Sequence, residues 1–200
     1  MRVTIKNTYS TALCALLLLS GLPASFAQGN LVINGDFDTS AIGWTLVGAG
    51  TSWEASKGDP AGDVIVTALA GSPATVPSAS QTIDGLVPGD TYAVTGDFEN
   101  VRDWGGGSPT ADSFGVAING VYMFEAAQEQ PGMWNPFDFS FTASSTSETL
   151  SLAAEINGTG VDYEIDNVGV QAVPEESSLW LAVIGGISTI AYVRIKHRPV

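Results

Sequence analysis

Nineteen carboxylates against two cations set the chemistry available between Gln28 and Ala172. Lys57 and Arg102 are the only basic residues there, so this stretch stands near −17 within a chain of formal charge −14. The single histidine, His197, and the single cysteine, Cys14, both fall outside it. A histidine-dependent triad and a histidine- or thiolate-ligated zinc are thereby excluded from the stretch. Two kinds of chemistry remain for these side chains. Clustered carboxylates can ligate a hard cation, and aromatic rings flanked by polar groups can hold a sugar. The same negative field repels nucleic acid and anionic lipid.

Individual positions narrow these options. Tyr163 and Ile165 share one parity, Val168 and Val170 the other, and Asp166 is in phase with the valines. Either a bulge lies near Asn167 or Asp166 faces an apolar layer, where a carboxylate needs a partner. Trp104 sits in a glycine-rich stretch beside Arg102 and Asp103; it is read equally well as a sugar platform and as an indole packing its own loop. Val121 and Met123 alternate with Tyr122 and Phe124, so one of the two pairs faces outward, which makes Tyr122 the next candidate. Trp53 is compatible with either role. Glu99, Glu125 and Glu155 would be the carboxylates of a small glycoside hydrolase. Abundant acids are expected at this net charge, and the sequence places no two of them at a catalytic separation, so a non-catalytic protein is the preferred reading.

The elements that position these residues follow a period of two. Leu31, Ile33 and Phe37 lie on one side of a first segment. Tyr92/Val94/Phe98, Phe114/Val116/Ile118, Phe137/Phe139/Phe141 and Leu150/Leu152/Ile156 repeat the pattern. Turn signals separate them: Asn34-Gly35, Gly58-Asp59-Pro60, Asp84-Gly85, Pro88-Gly89-Asp90, Asn119-Gly120 and Asn157-Gly158. Asn119-Gly120 should close a tight hairpin, because both residues tolerate positive φ. Ala70–Ser80 and Val101–Ala111 read as loops by composition. Without a helical stripe, eight to ten strands in this length predict an all-β, antiparallel β-sandwich.

Several of these segments, taken in order, resemble the galactose-binding-like jelly rolls, among them the carbohydrate-binding modules of families 4, 9 and 22. They are Asn30-Leu-Val-Ile-Asn-Gly-Asp-Phe-Asp38 with Gly43-Trp44, Ser80-Gln81-Thr82-Ile83 through Pro88-Gly89-Asp90-Thr91-Tyr92, Trp134-Asn135-Pro136-Phe137-Asp138-Phe139, and Tyr163-Glu164-Ile165-Asp166-Asn167-Val168. The resemblance implies a structural Ca²⁺ site using Asp38 and Asp166, with the carbonyl of Asp36 as a further ligand. One acid of Gly58–Asp63 would complete it, though the sequence does not say which. It also implies structural roles in the core for Trp44 and Trp134.

The termini carry addresses. Arg2 and Lys6, the apolar run Ala12–Leu22 and Ser25-Phe26-Ala27 form a signal-peptide pattern for signal peptidase, with the mature start near Gln28. At the other end, Val173-Pro174-Glu175-Glu176 precedes an apolar run to Val193 and then Arg194-Ile-Lys-His-Arg. Ser178 to Val193 would span about 24 Å as a helix, slightly short for a bilayer, with its basic end cytoplasmic. This tail resembles the PEP-CTERM sorting signal. That likeness implies an exosortase as partner and a location at the cell surface or outside it, with the membrane as a temporary or lasting anchor. The expected organisation is therefore 1–27 signal peptide, 28–172 sandwich and 173–200 sorting tail. The expected role is binding of extracellular polysaccharide or another surface glycan. A structural matrix protein without a specific ligand is the alternative.

Overall fold

A computed structural model describes residues 29–58, 60–69, 76–103, 112–127, 132–156 and 160–174, without the side chains of 69, 102, 103, 112, 127, 155 and 156. The expected signal segment, Trp104, Asp59, Asn157-Gly158, Glu175-Glu176 and the apolar run of the tail lie outside the described residues. Among those described, no helix is long and apolar enough to cross a membrane. Ala27–Val173 forms one compact unit.

Among the described residues ten strands make two five-stranded antiparallel sheets. They are β1 (Thr45–Val47), β2 (Ser52–Glu54), β3 (Asp63–Leu69), β4 (Ser78–Asp84), β5 (Thr91–Asp103), β6 (Asp112–Ile118), β7 (Val121–Ala127), β8 (Trp134–Thr142), β9 (Ser147–Ile156) and β10 (Gly160–Ala172). One sheet runs β1-β4-β9-β6-β7 and the other β2-β3-β10-β5-β8. The all-β sandwich expected from the period-two pattern is the fold observed. Alternate residues of each strand face the partner sheet, as Tyr92, Val94 and Phe98 do on β5 and Phe114, Val116 and Ile118 on β6. Rings of Phe98, Phe114, Phe124, Phe137 and Tyr163 meet between the sheets, Phe98 and Phe114 stacked at 4.5 Å. Phe137 lies flat over Gly96, where a Cβ would collide with its ring.

Asn119-Gly120 closes the β6–β7 hairpin with φ of 50° and 79°, and Asn119 Oδ1 accepts a bond from the Thr149 amide at 2.9 Å. Three sequence expectations need correction. The segment around Leu31–Phe37 is not a strand. Ile33 is exposed while Val32 and Phe37 are buried, because positive φ at Asn34 and Phe37 turns the chain twice. It acts as a bridge: Leu31 N donates to Val170 O in one sheet, and Gln81 of the other sheet bonds both the N–H and the C=O of Ile33. The segments Ala70–Ser80 and Val101–Ala111 are also shorter as loops than composition suggested. Ser78–Ser80 pairs with β9, and Val101–Asp103 extends β5 along β10, since a free neighbouring edge recruits backbone regardless of side-chain type.

Candidate functional site

The two sheets present chemically different outer faces. On the β1-β4-β9-β6-β7 sheet, Gly115, Ala117, Ser151, Ala153, Ser78 and Ser80 point away from the core and adjoin across β6, β9 and β4. Small side chains make this a shallow floor. Tyr122 lies along its β7 side. A register shift between Val116 and Ala117 pairs Ala117 with Tyr122 but Val116 with Phe124. Phe124 therefore enters the core, and the Tyr122 ring crosses the outside of Gly115, where an added Cβ would stand 2.5 Å from Tyr122 Cε1. Val121 and Met123 are the pair exposed to solvent, and the bulge splits Tyr122 from Phe124. Glu125, exposed and paired with Gly115, adds an acceptor beside the ring.

The other outer face is acidic and partly roofed. The Gly62 N–H is bonded to Lys57 O, which brings Gly62 back beside Lys57. A Cβ on Gly58 would sit 2.8 Å from Asp166 Oδ2 and collide with Gly62 O; one on Gly62 would collide with Phe37 O and lie 2.9 Å from Asp38 Cα. Bare glycines thus let the turn pack closely against the Asp166 carboxylate at Gly58 and against the Phe37 carbonyl at Gly62. The bulge at Asp166–Gly169, with Asn167 at φ 57°, lets Tyr163, Ile165, Val168 and Val170 all face the core while Asp166 faces this roof.

Asp63 completes the cluster. It is fully buried, and neither carboxylate oxygen has a hydrogen-bond partner. Burial first, then the like charges of Glu164 and Glu54, push its pKa up to about 7, against a smaller opposing pull from Lys57. Lys57 is spent on Glu164, to which it is ion-paired; that bond raises the lysine pKa, while burial outweighs the same bond and raises that of Glu164. A buried carboxylate with both oxygens unpartnered fits a hard, oxygen-seeking cation such as Ca²⁺. Among the described residues no three acidic side chains converge as a metal cluster.

The expected site residues separate as follows. Asp38 lies beside this roof with an exposed side chain, and Asp166 lies beneath it, buried. Asp36 is exposed and borders a different cleft, and the carbonyl nearest Gly62 is that of Phe37. Arg102 and Asp103 end β5, in the sheet opposite Tyr122. Trp44 is buried against Phe37, its indole N–H bonded to Ile33 O and Asn34 O. Trp53 is half-buried and donates to Phe37 O at 2.7 Å. Trp134, expected in the core, is half-buried: it is three residues from inward-facing Phe137 on an unbulged strand, which places it on the outer side. Glu99 and Glu125 project from opposite outer faces, separated by the whole sandwich, so they cannot form one glycosidase pair. The burial of Asp63 was hidden in the sequence, because only the folded loop covers it.

No protein-family model matches the chain. Over 194 residues, 85% of the chain, it is 29% identical to halomucin of Haloquadratum walsbyi, of whose length it spans 2%. Among solved structures it is similar to the CBM22-1 xylan-binding domain of Paenibacillus barcinonensis Xyn10C, with TM-score 0.51, 16% identity and coverage of 76% of this chain and 99% of that one. A family 4 carbohydrate-binding module aligns with TM-score 0.50 and 16% identity over 68% of this chain and 99% of the other. The arabinose-bound α-L-arabinofuranosidase MgGH51 aligns with TM-score 0.55 and 10% identity, over 73% of this chain and 27% of the enzyme. At these identities the likeness is one of fold: the chain carries an antiparallel sandwich of the carbohydrate-binding-module type.

Proposed function

We propose that the domain is a non-catalytic module that binds extracellular polysaccharide or another surface glycan, on the outer face of the β1-β4-β9-β6-β7 sheet. The observation that carries this reading is the Tyr122 ring laid across Gly115 at the side of a floor of Gly, Ala and Ser. A pyranose ring needs a flat apolar face on one side and hydrogen-bonding groups round its edge. Tyr122 supplies the face, and Glu125, Ser151, Ser80 and Thr82 supply the edge. The sandwich likeness to sugar-binding modules supports the same reading, as does a negative field unsuited to nucleic acid. Arg102, Asp103 and Trp104 remain candidates for a contact at the end of β5.

Bound Ca²⁺ would be structural, with Asp63 and Asp166 as its carboxylate ligands and backbone carbonyls completing the set, and would neutralise the Asp63 carboxylate that the fold otherwise buries at a cost. The terminal sequences support export through signal peptidase and sorting by an exosortase through Val173–Glu176, with the module then working at the cell surface or in the matrix.

The test is a glycan array and affinity electrophoresis with CaCl₂ present. Tyr122→Ala should lose binding by about tenfold, the value of one aromatic contact. Gly115→Leu, which displaces the ring, should behave alike. Undiminished retention in both variants would remove this face from the site, and the absence of any glycan ligand would favour the structural matrix protein.

A further inference from the structure

The outer face of the β2-β3-β10-β5-β8 sheet carries a cleft of about 370 Å³ where the bridging segment passes the β10 bulge. Its lining includes Asn30, Asn34, Asp36, Thr95, Asn167 and Gln171. We propose that this cleft is a second binding site, for one neutral sugar residue or similar polyol, on the face opposite Tyr122 and independent of it.

Three observations carry this. The cleft is preformed. Asn30 Oδ1 accepts from the amides of Val32 at 3.0 Å and Val170 at 2.9 Å, and Val168 N donates to Gly35 O at 2.8 Å. These bonds tie residues about 140 positions apart, so little order has to be created on binding. Its base is bare. Gly169 lies under it, and a Cβ there would press on Thr95 Oγ1 at 3.3 Å. Gly35 is equally constrained: a Cβ would collide with Val168 O, so the segment can approach the bulge only as glycine.

The lining chemistry is selective. Carboxamides and a hydroxyl offer donors and acceptors together, which is what a pair of neighbouring sugar hydroxyls requires. Thr95 and Gln171 are exposed and have no protein partner among the described residues, whereas Asn167 is already held by Asp97 at 3.3 Å. Among the described residues Asp36 contributes the only charge of the lining, it is negative, and no cation borders the cleft, so uronates and sulfated sugars are disfavoured. With no aromatic wall, recognition rests on hydrogen bonds, and the volume is at the small end of the range for small-molecule sites.

The experiment is ¹⁵N-correlation NMR of the domain in saturating CaCl₂, following the side-chain amides of Asn30, Asn167 and Gln171. The probes are glucose, galactose, mannose and glucuronate, with a neutral oligosaccharide as a further arm. Saturable shifts of these amides with at least one neutral monosaccharide, and weaker ones with glucuronate, are expected. Thr95→Val and Gln171→Ala, both at exposed positions, should each weaken binding roughly three- to tenfold, the value of one hydrogen bond. Tyr122→Ala should leave the shifts intact, which separates this site from the proposed platform. Shifts with the oligosaccharide but no monosaccharide would overturn the single-residue site. Saturation unaffected by either cleft variant, glucuronate binding as well as the neutral sugars, or no shift with any probe would overturn the proposal.

Discussion

Asp63 is the residue at which this fold carries most electrostatic cost. Its pKa stands near 7, against 3.8 for an unperturbed aspartate, so between those values the folded protein holds a proton that the unfolded chain has lost. Stability in chelator should therefore fall as pH rises from about 4 to about 7 and level off above that. Thermal melts in chelator across this range should show that slope, and Asp63→Asn should flatten it and raise the melting temperature at pH 8. A slope unchanged by the substitution would mean that another group titrates. In CaCl₂ the sign should invert at neutral pH, where Asp63→Asn removes a ligand and lowers the melting temperature.

Among the elements, the bridging segment Asn30–Phe37 connects the two sheets without belonging to either. Gln81 is buried and occupies both polar groups of Ile33, at 2.7 Å and 2.9 Å. Gln81→Ala would strand that amide and carbonyl, and should destabilise the domain by about 1–3 kcal/mol. Chemical denaturation should read this as a lower midpoint at unchanged slope; a change below experimental error would show that water replaces the glutamine. The β7 bulge is the second decisive element. A single extra residue sends Phe124 inward and Tyr122 outward, although the two are spaced as same-face neighbours.

For the whole molecule, the charge near −17 between Gln28 and Ala172 and the unpartnered, buried Asp63 carboxylate should make stability depend on cations. Adding CaCl₂ should raise the melting temperature well beyond the effect of NaCl at equal ionic strength, and chelator should reverse it. Identical curves would eliminate the specific site and leave only general screening. Because the Tyr122 floor and the polar cleft occupy opposite faces, a molecule with both sites could cross-link chains, a natural property for a matrix component.

Local chemistry is legible in the chain itself. Alternation at Tyr92–Phe98 and Phe114–Ile118 specified strands and their buried faces, and Asn119-Gly120 specified a hairpin, because both depend on neighbours one or two residues away. The missing histidine and cysteine settled which catalytic chemistries the stretch from Gln28 to Ala172 lacks. Even the dilemma at Asp166 was visible, since parity alone demanded either a bulge or a buried charge. Tertiary structure decided the rest. It placed the bulges at Asp166–Gly169 and Val116–Ala117, which reverse faces that a period-two count assigns. It buried Asp63 under a loop, turned Leu31–Phe37 into a bridge between sheets, and set Glu99 and Glu125 on opposite sides. Each of these rests on contacts between residues far apart in sequence, where one inserted residue or one folded-back loop reverses what local spacing implies.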